Sequence, residues 1–174
     1  MLAGASRYVV SEAGVTSMFA RTDASLSAFR RSVPATCDVR TVPVDYRSEL
    51  AFGDAVRLSV ENLGAPDVVL AWMHAAHPAR TLAAQLAAYE HPLQFFHVLG
   101  SASASPASSL LQQRLSYEAF PLLSYHQIVL GFHCGQHGSR WLHDEEIVEG
   151  TIEALKSNAR CHVVGVVEPW DARP

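Results

Sequence analysis

Short β-branched runs alternate with longer helix-patterned stretches from one end of this 174-residue chain to the other, and few architectures tolerate that rhythm. Met1 to Val10 is helical in pattern and its segment ends at Gly14. Val15-Thr16-Ser17-Met18-Phe19 reads as a strand, with a helix over Ala24 to Arg31 behind it. Val39 to Val44 predicts the next strand, and a helix from Ser48 to Leu63 is ended by Gly64 and Pro66. Asp67 to Trp72 is an almost unbroken apolar run, the pattern of a strand covered on both faces. A helix over Ala79 to Tyr89, rich in Ala and Leu, closes before Pro92, and Leu93 to Leu99 is the fourth strand. Ser108 to Glu118 is weakly helical, Gln127 to His133 strand-like, and Asp144 to Ser157 a clear helix. That helix has Asp144, Glu145 and Glu146 in its first turn and Lys156 in its last, matching the helix dipole at both ends. His162 to Val167 supplies the final strand.

Strands joined through helices make right-handed βαβ crossovers, so the expected fold is α/β: a doubly wound parallel sheet between two helical layers. Such sheets hold ligands just outside the carboxyl ends of their strands. The small-residue stretch Gly100 to Pro106 reads as a loop inside one domain spanning residues 1–174, because the alternation continues on either side of it. A net charge of −4, with Lys156 the only lysine, speaks against nucleic acid as a partner, since neutralising phosphates takes clustered cations. No apolar run reaches the roughly 20 residues of a membrane span, and no basic-then-apolar leader opens the chain. Cys37, Cys134 and Cys161 are odd in number and far apart, which is no disulfide framework; a cytoplasmic protein is expected.

Several short segments carry a family resemblance. They are Val44-Asp45-Tyr46, Asp67-Val68-Val69-Leu70-Ala71-Trp72-Met73-His74, Phe96-His97-Val98-Leu99-Gly100-Ser101 and Ile128-Val129-Leu130-Gly131-Phe132, followed by Gly138-Ser139-Arg140-Trp141-Leu142 and Glu145-Glu146-Ile147. In that order they resemble the short-chain dehydrogenase/reductase superfamily, in a divergent bacterial branch. The pieces reach across most of the chain. The resemblance implies a Rossmann-like sheet binding NADP or NAD. It also implies that the first, central strand and most of the Gly-rich turn lie ahead of Met1, with Gly4 in what remains of the phosphate-binding turn, as in an N-terminally truncated copy.

By the same resemblance, Arg21-Thr22 lies where the adenosine ribose sits, and an arginine there favours the 2′-phosphate of NADP. Asp23, two residues on from Arg21, serves a ribose or caps the next helix. Asp45 would accept from the adenine amino group with Tyr46 beside the ring; its other reading is a cap for the helix near Ser48. Ala71-Trp72-Met73-His74 stands where the family has Asn-Asn-Ala-Gly, so Trp72 and His74 put large rings where small residues approach the cofactor.

For catalysis the family pairs a Ser with a Tyr and a Lys four residues after it. Ser101, or else Ser103, matches the serine, and Tyr117 is the nearest tyrosine. Pro121 stands four residues after Tyr117, and Val129 four after Tyr125, so the chain has no Tyr-x-x-x-Lys. A phenol without its cation keeps a pKa near 10. His74, His97 and Arg140 are the candidates to replace the lost groups, while Ser101 also reads as a loop serine bonding to backbone. His133-Cys134-x-x-His137 with His143 invites a zinc reading; Gly135 and Gly138 make it a turn instead, and no metal is expected. Arg140-Trp141 either lines a pocket, or Trp141 packs beneath the final helix while Arg140 pairs with Glu145 or Glu146. The expected function is an NAD(P)-dependent oxidoreductase acting on a carbonyl or alcohol of a small molecule, with self-association open. The alternatives are a non-catalytic cofactor-binding or scaffold protein, and a truncated inactive remnant.

Overall fold

The computed structural model describes residues 2–74, 76–104, 110–135 and 138–174. Two compact units are distinguished, residues 3–66 and residues 67–174 with Leu2. In the first, α1 (Ala3–Glu12) leads into β1 (Val15–Ala20), α2 (Asp23–Arg31), β2 (Asp38–Pro43) and α3 (Glu49–Leu63). The two strands run parallel, in register from Val15 opposite Asp38 to Ala20 opposite Pro43. Strand alternation then sorts the side chains between two layers. Met18 turns to a cluster of Val10, Phe29, Val33, Cys37 and Val39, which draws on α1 and α2. Ser17 and Phe19 turn the other way, to α3: Ser17 hydrogen-bonds Ser59, and Phe19 meets Phe52 edge-on at 5.9 Å. Thr22 is the N-cap of α2, its hydroxyl accepting from the Ser25 amide at 3.3 Å, so Asp23 begins the helix rather than capping it.

The second unit continues with β3 (Val68–Ala71), α4 (Ala76–Ala87), β4 (Leu93–Leu99), α5 (Leu110–Leu115), β5 (Leu123–Leu130), β6 (Phe132–Gly135), β7 (Gly138–Trp141), α6 (Asp144–Ser157) and β8 (Cys161–Val164). Its sheet is parallel throughout, in the order β3-β4-β5-β8. Every residue of β4 but Gln94 is buried, as a strand with a ladder on each side and helices on each face must be. One face carries Phe96, Val98, Ile128, Leu130 and Val164, which pack with Ile147 and Ala154 of α6. The opposite face carries Phe95, His97 and Tyr125, covered by Tyr117 from the segment after α5. That segment is tied to α4, since Arg80 donates to the Ser116 carbonyl at 3.3 Å. Each of the two units thus has helices on both faces of parallel strands, and the expected α/β Rossmann-like fold is what forms. Among the described residues β1 and β3 each have one ladder partner, β2 and β4.

Two segments differ from expectation. The fifth strand starts at Leu123, four residues ahead of the expected Gln127, because its leading half holds Tyr125, His126 and Gln127 as buried polar side chains that read as surface in a sequence. The expected strand end at His133 is a second strand: β5 stops at Leu130, and β6 pairs antiparallel with β7 as a hairpin, Phe132 opposite Trp141. Gly131 makes that break possible. Its amide donates to the Val164 carbonyl at 2.9 Å, and a Cβ there would lie 2.1 Å from the Val166 carbonyl oxygen. Gly150 is the matching device on α6, where a Cβ would fall 2.5 Å from the Val164 side chain.

Gly131→Ala is therefore expected to cost about 1–3 kcal/mol, the range for forcing a group into a filled interior. Urea unfolding of the two proteins measures it, and equal midpoints would remove this account of the β5–β6 junction.

Candidate functional site

Most of the residues that sequence reasoning singled out follow the carboxyl ends of β1, β2, β3 and β4. In the first unit these are the tips of β1 and β2. Arg21 and Thr22 follow β1 directly and are exposed. Asp45 and Tyr46 follow β2, both half-buried. Asp45 does not cap α3; Ser48 holds that position without a side-chain bond. Instead the Asp45 carboxylate accepts from the Arg47 amide at 3.0 Å and from the Arg47 guanidinium, with Nε 3.1 Å from either oxygen and Nη2 at 2.6 Å. This fork holds the Asp45 pKa down at about 2, with Arg21 adding its charge to the same effect. Arg21 and Asp45 are thus brought into one electrostatic neighbourhood by adjacent parallel strands. Arg47 was not singled out from sequence, and the only signal was its spacing two residues after an aspartate, the interval of an Asx turn. Gly4 sits at the second residue of α1 and Thr22 has its hydroxyl engaged as the α2 cap.

In the second unit the tips of β3 and β4 lie side by side, because Ala71 is in register with His97. Ala71 is buried, Trp72 is half-buried against the core that holds Leu70 and Leu142, and His74 is exposed. The Trp72 and His74 rings approach to 5.7 Å. Ser101 opens a single 3-10 turn straight after Gly100 and is half-buried; Ser103 lies in the same turn, its amide donating to the Gly100 carbonyl at 2.9 Å.

Tyr117 is placed differently from a proton donor at a strand tip. It is 2% exposed and stacks face to face on Tyr125, ring centroids 3.7 Å apart, with no hydrogen bond to its hydroxyl. Burial pushes its pKa up to about 12. Tyr125 is shifted in the same direction for the same reason, and its hydroxyl lies 2.9 Å from Nδ1 of His97. His97 is fully buried, and desolvation lowers its pKa to about 4, so at neutral pH the imidazole is uncharged. This dry stack of His97, Tyr125 and Tyr117 could not be foreseen from spacing, since it depends on the segment after α5 folding back over the sheet.

Arg140 pairs with Glu146, through Nη1 at 2.7 Å and Nη2 at 2.9 Å, and Glu146 also accepts from the His143 amide at 2.8 Å. These bonds hold the Glu146 carboxyl down at about 2 and lock the hairpin to the first turn of α6. Trp141, expected beneath that helix, is 48% exposed, because in β7 it alternates away from Arg140. His133 and Cys134 are exposed on β6, successive residues of one strand and so directed to opposite sides; His137 lies outside the described residues. Among the described residues no three His, Cys, Asp or Glu side chains converge, and no helix is long and apolar enough to cross a membrane.

No family model and no curated protein matches the chain. Solved structures do match it. A short-chain dehydrogenase/reductase from Serratia marcescens is 13% identical over 94% of this chain and 90% of its own, with a TM-score of 0.64. A doubly substituted variant of that enzyme gives the same TM-score and coverage at 14% identity. An alcohol dehydrogenase from the archaeon Thermococcus sibiricus, complexed with 5-hydroxy-NADP, is 12% identical over 94% of this chain and 89% of its own, at 0.60. The fold is that of these enzymes.

Because His97 is neutral when folded and has an ordinary histidine pKa when unfolded, the unfolded chain binds the extra proton between the two values. Stability is therefore expected to be full above pH 6.5 and to be lost as pH falls toward 4, by about 3 kcal/mol. His126, also shifted down by burial, acts in the same direction. Denaturant unfolding at pH 7 and pH 4.5, for the wild type and for His97→Asn, checks this; an acid-side loss as large in the variant would refute it.

Proposed function

We propose that this chain is an NADP-binding protein of the short-chain dehydrogenase/reductase type, and that its kinship to oxidoreductases extends to the cofactor. The observation that carries the reading is that exposed Arg21 and the anchored Asp45 stand at neighbouring strand tips, close enough for their charges to interact, in a fold shared with dehydrogenases. The residues present suit an adenosine with a 2′-phosphate. Arg21 would hold the phosphate. Asp45, kept ionised and oriented by Arg47, would accept from the adenine amino group in place of one of its present Arg47 contacts, and Tyr46 would flank the ring. When bound, the nicotinamide supplies or accepts the hydride. What this chain's residues would contribute is orientation: the Ser101 hydroxyl, two residues past the end of β4, would hydrogen-bond a substrate carbonyl or alcohol on a small molecule.

A second reading, a cofactor-binding protein without turnover, is favoured by Tyr117. A phenol that is 2% exposed and stacked beneath a strand is closed to substrate, and Pro121, not a lysine, stands four residues after it. Proton transfer on the first reading would need another group, of which His74 is the exposed candidate nearest in sequence to the β3 tip.

Titration with NADPH and NADH by fluorescence tests the reading. NADPH is expected to bind more tightly, and Arg21→Ala to erase most of that preference, a loss of about tenfold or more for one charge-assisted phosphate contact. Absence of NADPH binding would overturn the proposal. Turnover of a carbonyl panel that Ser101→Ala abolishes would select the enzyme; tight binding with no turnover would select the second reading.

A further inference from the structure

In the first unit the Asp45 carboxylate has no acceptor to spare. Its Oδ1 accepts from the Arg47 amide at 3.0 Å and from Arg47 Nε at 3.1 Å, and its Oδ2 from Nε at 3.1 Å and Nη2 at 2.6 Å. Each oxygen thus accepts twice, which fills the roughly four acceptor sites of a carboxylate. The donors differ in permanence. The amide belongs to the turn that leads into α3, closed by the Ser48 amide on the Asp45 carbonyl at 2.9 Å, and it stays whatever side chain stands at position 47. The guanidinium sits on a flexible side chain that is 65% exposed, beside a carboxyl that is only 29% exposed. It lies on the solvent side of the acceptor, where a ligand has to arrive. An ion pair so open to water is weak and is screened by salt, so it yields to a competitor.

We propose that the Arg47 guanidinium is an internal competitor for the Asp45 carboxylate, so that Arg47 sets how strongly this site prefers adenine over a purine without the 6-amino group. The inference rests on the proposed function and deepens it. An amino group reaches Asp45 only by displacing a charge-assisted bond, and the gain from the new contact is offset by the loss of the old one. The wild-type site therefore draws little affinity from the 6-amino group, and its hold on the nucleotide comes from the other contacts. Arg47→Ala changes this balance at one point. The amide bond to Oδ1 remains and keeps Asp45 in its turn, while Oδ2 is left open to the base.

The probes are adenosine 2′-monophosphate and purine riboside 2′-monophosphate, titrated by NMR into wild type, Arg47→Ala and the double variant Arg47→Ala, Asp45→Ala. They carry only the base, ribose and phosphate assigned to Arg21, Asp45 and Tyr46, all in the first unit. Both have the same phosphate, so the charge lost at position 47 affects them alike and cancels in the ratio of their affinities. In the wild type the two are expected to bind within about twofold of each other. In Arg47→Ala the ratio is expected to rise about fivefold in favour of adenine, the worth of one net hydrogen bond, and in the double variant to return to the wild-type value. A ratio that Arg47→Ala leaves unmoved overturns the proposal, and so does one that falls, since Arg47 would then be an aid to Asp45. If neither nucleotide binds wild type or variant, the nucleotide reading fails and the inference with it; binding with an unmoved ratio sinks the inference alone.

Discussion

The second unit depends on the near-complete burial of one strand. Leu93–Leu99 has a ladder on either side and a packed layer on either face, so each polar group placed on it must be neutralised or matched. His97 meets that demand by staying uncharged and sharing a hydrogen with Tyr125, and Tyr117 by keeping its proton. Gln127, level with His97 on the neighbouring strand, spends its amide on the Leu110 carbonyl and on Gln113, which fastens α5 to the sheet. The polar residues of this interior act as fasteners between layers. In water His97 and the two tyrosines would be ordinary titrating side chains.

The two sets of strand tips differ in chemistry. Those of β1 and β2 carry charge: an exposed arginine at Arg21 and a carboxylate whose geometry is dictated by Arg47. Those of β3 and β4 carry rings and small hydroxyls, in Trp72, His74 and Ser101. A charged edge suits a phosphate and a polar base, and an edge of rings and hydroxyls suits a planar group and a carbonyl. Each edge is built from residues just past a strand end, where a parallel sheet holds its ligands, while the role given to each came from the family resemblance.

The elements were legible where hydrophobic periodicity was strong. Leu93–Leu99 and Asp144–Ser157 stand where the pattern puts them, and the other helices and strands up to residue 99 shift by a few residues at most. The signal failed where burial and polarity part company. Tyr125-His126-Gln127 is buried yet reads as surface, so β5 was placed late. The β6–β7 hairpin is built from Phe132–Gly135 and Gly138–Trp141, two four-residue strands containing glycine and almost no β-branched side chain, and nothing in their composition separates them from a turn. Site residues were legible as positions and illegible as environments. Ser101 and Arg21 are where a strand tip should be, whereas the burial of Tyr117 is a long-range event that no local spacing encodes.

Trp72 has a consequence of its own. The chain holds three tryptophans, and they occupy unlike surroundings: Trp72 is half inside the α6-side core, Trp141 lies 48% open on the hairpin, and Trp170 has the Arg173 guanidinium 4.4 Å above its ring. An indole in apolar surroundings emits at shorter wavelength than one in water. The bluer side of the protein's intrinsic emission therefore draws on Trp72 more than on the open Trp141, which gives this molecule an optical gauge of the packing at the β3 tip.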